Sequence, residues 1–382
     1  MRLHVLDMSA VTKFFISKQV SVVYRILAST FRFIHPLLLS MAIYKHNDNP
    51  NVVVRSLRKL YNPVGFKKGY NAVLAFISLG YILGFCLAQV QKFNVWGYWA
   101  MNNAPGESWA YTSKGLLYKV TMTMHIVVVI PAGLLVVLQF LPIIRYKALI
   151  LHRINGYIVM TLMLIYSITG IIISKVALGG DFATQTFAGA FGIAVILSGT
   201  LAYINIKRLQ IEQHRAWMMR AWAYSASIIT LRIIQLTALE IVGSIPDSYR
   251  MLPCEQIDSV GGLAATIYPS CAADPTGWTA AKMDLGGTSV AEMMAASQGT
   301  FAGAGLLAFI LHAIGIELYL HFTPAESQRL RQVSFERQQE RGFSRPGSAG
   351  LTSDRLGDAE WVPLKQHAEQ DAQRKSITQD RE

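Results

Sequence analysis

Charged side chains are scarce in this sequence. Asp, Glu, Lys and Arg make up 15% of the 382 residues, whereas hydrophobic residues make up 52%. A soluble protein needs more charge to cover its surface, so the composition favours a chain whose main solvent is the lipid bilayer. Cysteine is also scarce: Cys86, Cys254 and Cys271 are the only three, and no two have the short spacing of a zinc site.

The motifs of common soluble enzymes are absent as well. The sequence has no glycine-rich phosphate loop, no nucleophile elbow and no paired carboxylates, which argues against a soluble-type kinase or hydrolase and leaves open whether the chain is an enzyme. The net charge of +12 does not indicate nucleic-acid binding, because Lys and Arg fall in short stretches between long apolar runs. The expected partners are therefore membrane lipids.

What the sequence does contain is a set of six apolar runs, each reaching the roughly 20 residues that cross a hydrocarbon layer. They lie near residues 70–90, 120–144, 156–176, 185–206, 217–242 and 300–320. We therefore predict an all-α polytopic membrane protein, a six-transmembrane-helix bundle within residues 61–323.

The two flanking regions are polar. Residues 1–60 form a basic, acid-poor extension that fits a transit peptide, an amphipathic surface helix or a dispensable segment. Residues 324–382 are rich in Arg, Glu, Gln and Ser and are expected to form a cytoplasmic tail that is largely disordered.

Basic residues in the short loops predict the orientation. They precede the first span and fill the second and fourth loops, which all fall on one side of the membrane if there are six spans. The positive-inside rule then places both termini in the cytoplasm and the long loop 243–299 outside, without naming the organelle. Cys254 and Cys271 share that outer loop, where a disulfide can persist.

Four histidines lie in or at the ends of the predicted spans: His125, His152, His214 and His312. Neutral imidazoles on facing helices can be the axial ligands of b-type haem. His152 and His214 both begin spans at the inner boundary, whereas His125 and His312 are offset by about six residues, or about 9 Å. Alternatively, the boundary residues anchor helices at lipid headgroups and the other two form hydrogen bonds within the bundle.

Four arginines are candidates for binding an anionic substrate or headgroup: Arg153, Arg215, Arg220 and Arg232. Arg232 lies well inside the fifth span, where a guanidinium is rare and needs a reason. It either binds an anion or belongs to a structural network with Glu240 or polar neighbours. Two functions are thus open: a haem-dependent electron-transfer module, and a non-redox carrier or lipid-binding protein that recognises an anionic group.

Two motifs resemble an uncharacterised family of predicted membrane proteins, known as domain of unknown function 2306. They are His152-Arg153-Ile154-Asn155-Gly156-Tyr157 and His214-Arg215-Ala216-Trp217-Met218-Met219-Arg220-Ala221, the latter followed by Leu231-Arg232-Ile233. The segment Tyr61-Asn62-Pro63-Val64-Gly65-Phe66-Lys67-Lys68-Gly69-Tyr70 is similar to the fungal branch of that family. The resemblance implies the fold and the topology, and it implies no reaction.

Overall fold

The computed structural model of the chain describes residues 52–66, 68–261 and 263–363. Most of the predicted N-terminal extension and the last part of the predicted tail lie outside these residues. The described chain begins with the short helix α1 (Val52–Tyr61).

Six helices of the described chain are long and apolar enough to cross a membrane. They are α2 (Gly69–Ala88), α4 (Leu116–Phe140), α6 (Leu149–Ile173), α7 (Phe182–Lys207), α8 (Ile211–Gly243) and α12 (Val290–His321). The predicted fold class, an all-α polytopic membrane protein, is confirmed. The orientation of the termini stays a prediction.

Several helix boundaries differ from the predicted spans: α6 begins seven and α8 six residues earlier than predicted, and two further differences have a visible local cause. The second span was predicted to reach residue 144, but α4 ends at Phe140, because Pro142 opens the separate short helix α5 (Pro142–Lys147). The sixth was predicted from residue 300, whereas α12 begins ten residues earlier. There the Ser289 hydroxyl accepts from Glu292 N (3.3 Å) and the Glu292 carboxylate accepts from Ser289 N (3.0 Å). This reciprocal capping box starts the helix.

The loop between α8 and α12 carries a small, well-packed structure. Strands β1 (Tyr249–Pro253) and β2 (Trp278–Lys282) pair in antiparallel fashion. Between them lie three short helices, α9 (Cys254–Asp258), α10 (Ala264–Ile267) and α11 (Pro269–Ala273). Cys254 and Cys271 are buried at disulfide distance, with their Cα atoms 5.5 Å apart, as their shared loop predicts.

The chain divides into two compact units. Unit 1 comprises the described residues up to Gly189 together with Ile229–Leu306, and unit 2 comprises Ala190–Ile228 together with the described residues from Leu307 onward. In unit 1, α4 packs most extensively against α6. Its core also includes α3 (Glu107–Ser113), whose Tyr111 is buried against Trp99 and α4.

Unit 2 contains α13 (Pro324–Glu340) and the segment that follows it. Gln210 and Gln338, both fully buried, hold that segment: Gln338 Oε1 accepts from Gly347 N (2.6 Å) and Gln210 Oε1 accepts from Gly350 N (2.8 Å). The Asn205 side chain likewise accepts from Leu351 N (2.8 Å). Residues 343–363 are thus ordered to a degree that their polar composition does not predict.

Candidate functional site

The side chain of Arg232 lies in unit 1, 11 residues before the end of α8. Its Nη1 donates to Gln235 Oε1 (3.2 Å), one helical turn further on, and its guanidinium lies over the Phe301 ring, 5.7 Å from the centroid. The side chain is exposed beside these two contacts. We call the space next to its guanidinium, beside Gln235 and Phe301, the recess.

No carboxylate neutralises Arg232 directly. Within residues 52–363 as described, no Asp or Glu oxygen lies within 4.0 Å of its guanidinium. Gln235, its hydrogen-bond partner, is itself fixed by a bond from its Nε2 to Ser297 O on α12 (3.0 Å). The guanidinium is therefore held in place by neutral groups.

The nearest acid in electrostatic terms is Glu107, at the start of α3. Its side chain is 6% exposed, and its two oxygens accept from the single N–H of Leu178 (3.1 and 2.9 Å). The Tyr111 hydroxyl donates to the same carboxylate (2.9 Å). Burial raises the pKa of Glu107 to about 7, although these hydrogen bonds and the positive charge of Arg232 oppose the shift.

A chain of hydrogen bonds connects the surroundings of Glu107 and Arg232. Gln256 Nε2 donates to Gly106 O (3.0 Å), beside Glu107, and Gln298 Nε2 donates to Gln256 Oε1 (3.4 Å). Gln298 follows Ser297, the residue that accepts from Gln235. Helix α12 therefore contacts the partner of Arg232 through Ser297 and, through Gln298 and Gln256, the residue before Glu107.

An ion pair supports the turn that binds Glu107. Arg250 donates from Nη1 to Asp181 (2.9 Å) and from Nε to Gln298 Oε1 (3.2 Å). The Arg250 ion pair and the hydrogen bonds to Thr184 lower the pKa of Asp181 against the opposing effect of burial, so this pair is internally neutral. It fixes the 178–181 turn without adding net charge.

Lys92 is a second cation near this site. It lies in the short 3-10 helix Val90–Phe93, after the end of α2. Burial, and secondarily the positive charge of Arg232, lower its pKa to about 8. Lys92 thus adds a second positive charge near Arg232.

The arginines predicted for unit 2 have other surroundings. Arg220 makes a bidentate ion pair with Glu317 (2.6 and 2.8 Å) and lies over the Trp217 ring, 4.6 Å from its centroid. Arg215 donates to the Tyr319 hydroxyl (3.2 Å). Both arginines are thus engaged with protein groups, and Arg220 has its charge neutralised.

The fourth predicted arginine, Arg153, lies exposed in the first turn of α6, in unit 1. It is not part of the group of contacts around Arg232 and Glu107 described above. The four arginines predicted to bind an anion thus have three kinds of environment: Arg153 is exposed, Arg215 and Arg220 contact groups of unit 2, and Arg232 lines the recess in unit 1.

Three of the predicted histidines share one arrangement. The Nδ1 atoms of His125, His214 and His312 lie 3.0, 2.9 and 2.7 Å from the carbonyl oxygens of Tyr166, Ala202 and Ala223. A carbonyl oxygen only accepts, so each Nδ1 carries a proton, and in the neutral ring the lone pair is on Nε2. The backbone carbonyl oxygen of His152 accepts from Gln139 Nε2 (3.0 Å).

Within either unit, the histidines lie at different depths. In unit 1, His125 contacts Tyr166, which follows His152 by 14 residues on α6, or about 21 Å of helical rise. In unit 2, His312 contacts Ala223, nine residues after His214 on α8, or about 14 Å. Neither unit by itself brings two of them to one iron. The predicted pairs, His152 with His214 and His125 with His312, each join one residue from each unit and stay predictions.

The sequence reasoning missed Glu107, Tyr111, Lys92 and Phe301. One signal was available: Glu107 is the only acidic residue between residues 49 and 180. An isolated acid in a long apolar and basic region requires an explanation, just as a basic residue within a span does. The partner that buries it, Leu178 N, has no sequence signature.

Comparison with known proteins identifies one family. Residues 122–253 match the family model described as "Predicted membrane protein (DUF2306)". The resemblance is confirmed over this DUF2306 segment, which begins within α4 and ends at β1. The segment contains His125, His152, His214 and Arg232, whereas Glu107 and Phe301 lie outside it. No curated protein and no solved structure matches the chain.

Proposed function

We propose that this membrane protein binds an anionic group at Arg232, as a non-redox carrier or a lipid-binding protein would. The observation that carries the proposal is an accessible guanidinium inside a membrane-spanning helix with no carboxylate within 4.0 Å in the described chain. A charged residue at that depth costs about 3 kcal/mol or more, a cost that proteins accept mainly at functional sites.

The contacts of Arg232 favour binding over a purely structural role. A structural arginine is satisfied by a carboxylate or by several carbonyl oxygens, as Arg220 is by Glu317. Arg232 has one amide oxygen and one ring. Its remaining N–H groups suit the planar, bidentate geometry of a carboxylate or a phosphate.

The apolar neighbours indicate the kind of anion. Phe301, beneath the guanidinium, makes an edge-to-face contact with Phe187, and their centroids are 6.0 Å apart. The Lys92 ammonium adds positive charge nearby. A singly charged organic anion with an apolar part, such as a monocarboxylate, is complementary to these groups.

The binding test uses benzoate and the full-length protein in nanodiscs of neutral lipid. Sodium benzoate replaces sodium chloride at constant ionic strength while thermal unfolding is followed. At ten times its Kd, a ligand of the folded state contributes about 1.4 kcal/mol. We expect wild type to be stabilised and R232Q to lose that increment. R220Q, with the same substitution on the same helix, should keep it.

Anionic lipid separates the two sources of ligand. If the natural anion is a headgroup, adding phosphatidylserine to the nanodisc should stabilise wild type and abolish the benzoate effect. If it is a free molecule, the benzoate effect should persist. An equal benzoate response in wild type and R232Q would refute the proposal, as would no response to either anion.

A second candidate, b-type haem binding, rests on the tautomer of three histidines. The protonated Nδ1 of His125, His214 and His312 leaves Nε2 as the ligating atom, the tautomer in which histidine commonly binds a metal. The absorption spectrum of protein expressed with haem tests it. Reduced-minus-oxidised b-type bands that disappear in H125A or H312A would support haem, and a spectrum without them would exclude it.

A further inference from the structure

We infer that Glu107 couples the binding of an anion at Arg232 to the binding of a proton, so that the two are taken up together. The inference rests on the proposed function and names the second ligand of the same site. It starts from the placement of a buried carboxyl group and an incompletely neutralised guanidinium within one network of unit 1.

The carboxyl group of Glu107 is held by neutral donors. Leu178 N and the Tyr111 hydroxyl bind its oxygens, and no cation lies within 4.0 Å of it in the described part of the protein. Ionised Glu107 is therefore stabilised by two hydrogen-bond donors and by the more distant charge of Arg232. Protonated Glu107 can donate to Tyr111 Oη instead, after the hydroxyl rotates.

The two protonation states affect an anion in opposite ways. Ionised Glu107 partly neutralises the field of Arg232 and repels a second negative charge in the recess. Protonated Glu107 leaves the Arg232 charge available to the ligand. An anion therefore binds more tightly to the protonated form, and by reciprocity the bound anion raises the proton affinity of Glu107. Burial places the pKa of this carboxyl group at about 7, so both states are accessible near neutral pH.

Other ionisable groups near Glu107 have separate roles. Tyr111, whose pKa burial raises well above its ordinary value, stays protonated throughout this range. Arg250 and Asp181 neutralise each other at the turn beside Leu178. Lys92 has a pKa of about 8, so it loses its positive charge at higher pH, and this loss further weakens anion binding.

Two further lysines lie on or near α3 and α4. Lys114 lies over the Trp109 ring and Lys119 over the Trp96 ring, 5.3 and 5.1 Å from the centroids. The cation whose charge acts on Glu107 is Arg232, which lowers the pKa of Glu107 against the larger effect of burial.

The test measures the Kd of benzoate for full-length protein in neutral nanodiscs at pH 5.5, 7.0 and 8.5. Benzoate stays ionised over this range. We expect wild type to bind at least threefold more weakly at pH 8.5 than at pH 5.5. E107Q should bind at both pH values as tightly as wild type does at pH 5.5, apart from the smaller effect of Lys92. E240Q removes an exposed carboxylate on the same helix as Arg232 and should keep the wild-type pH dependence.

A second readout follows the proton itself. Calorimetric titration at pH 7.5 in two buffers of different ionisation enthalpy should show net proton uptake on benzoate binding to wild type and E240Q, and for E107Q only the smaller uptake due to Lys92. If Arg232-dependent binding has the same Kd at pH 5.5 and 8.5 and takes up no proton, the coupling is refuted and the proposed function stands. If no Arg232-dependent binding occurs at any pH, both are refuted.

Discussion

The two units treat polar and charged groups in the membrane protein differently. In unit 2, Arg220 and Glu317 form a bidentate pair, and the buried side chains of Gln210 and Gln338 satisfy each other and the backbone. In unit 1, Arg232 is held only by neutral groups, and Glu107 is buried without a cation in contact.

This difference distinguishes polar groups that stabilise the fold from charged groups that are available to a ligand. A satisfied network rigidifies the unit that contains it and has no capacity left for a ligand. An unsatisfied charge destabilises the ligand-free protein, and a ligand that neutralises it recovers that free energy. This criterion supports the proposed anion site in unit 1 over one at the paired arginine of unit 2.

The largest effect on stability should come from the hydrogen bonds of Gln210 and Gln338 in unit 2. The change Q338L leaves Gly347 N and Arg208 O, bonded at 2.6 and 2.9 Å in the native protein, without partners. Because the Gly347 N–H is buried and the bond to Arg208 O is partly buried, their loss should lower the free energy of unfolding by about 3–4 kcal/mol. Denaturant titration measures this, with Q339L, at an exposed position of the same helix, as the control. A loss under about 1 kcal/mol would mean that the network is not structural.

The next effect tests the loop of unit 1. Removing the bridge in C254A/C271A should cost about 3 kcal/mol, because it frees a loop closed over 17 residues. Reductant should destabilise wild type by a similar amount and leave the variant unchanged. Benzoate binding should survive if Arg232 is set by the helices. A wild type that does not respond to reductant would contradict the bridge.

A smaller effect follows from Glu107 alone, without any ligand. Because burial raises its pKa from the ordinary 4.5 to about 7, the folded state binds more protons than the unfolded state between these values, and stability falls as pH rises through this interval. At pH 8, E107Q should be more stable than wild type by up to about 3 kcal/mol, and at pH 4.5 the two should be similar. Unfolding titrations at both pH values measure the difference. Parallel pH profiles would show that Glu107 stays ionised.

The smallest effect compares two arginines directly. Without anion, R232Q should raise stability by about 1 kcal/mol, because it removes an uncompensated charge. R220Q should lower stability by about 1 kcal/mol or less, because Glu317 is half exposed and solvent screens the pair. If R232Q and R220Q changed stability in the same direction, the contrast between an uncompensated arginine in unit 1 and a paired one in unit 2 would be wrong.

The membrane helices could be predicted from sequence because length and hydropathy alone define them. The disulfide pair could be predicted because two cysteines share one loop. Arg232 was recognisable as a candidate because a basic residue in a span is unusual. Its partner was left open between Glu240 and polar neighbours, and the contacts in the structure are with the polar neighbour Gln235 and with Phe301, which the sequence did not indicate.

Glu107 and the ordered tail could not be predicted for a related reason. Their partners are backbone groups distant in the chain: Leu178 N follows Glu107 by 71 residues, and Gly350 N follows Gln210 by 140. Backbone donors are present at almost every residue, so no local pattern marks the one that will be used. Polar composition predicted a largely disordered tail over residues 324–382, and it gave no sign of the hydrogen bonds that Gln338 and Gln210 accept from Gly347 N and Gly350 N.

The bonds between Gln210 and the segment around Gly350 also constrain biosynthesis. Translation completes the turn between α7 and α8 long before it reaches residue 350, 140 residues later. During that interval Gln210 has Glu212 as a side-chain partner, whereas Gln338, Gly347 and Gly350 have not yet been made for most of the time. Unit 2 therefore reaches its final hydrogen bonding only after the last membrane helix has left the ribosome, and a nascent chain stopped before Gly347 should be recognised by quality control as incomplete.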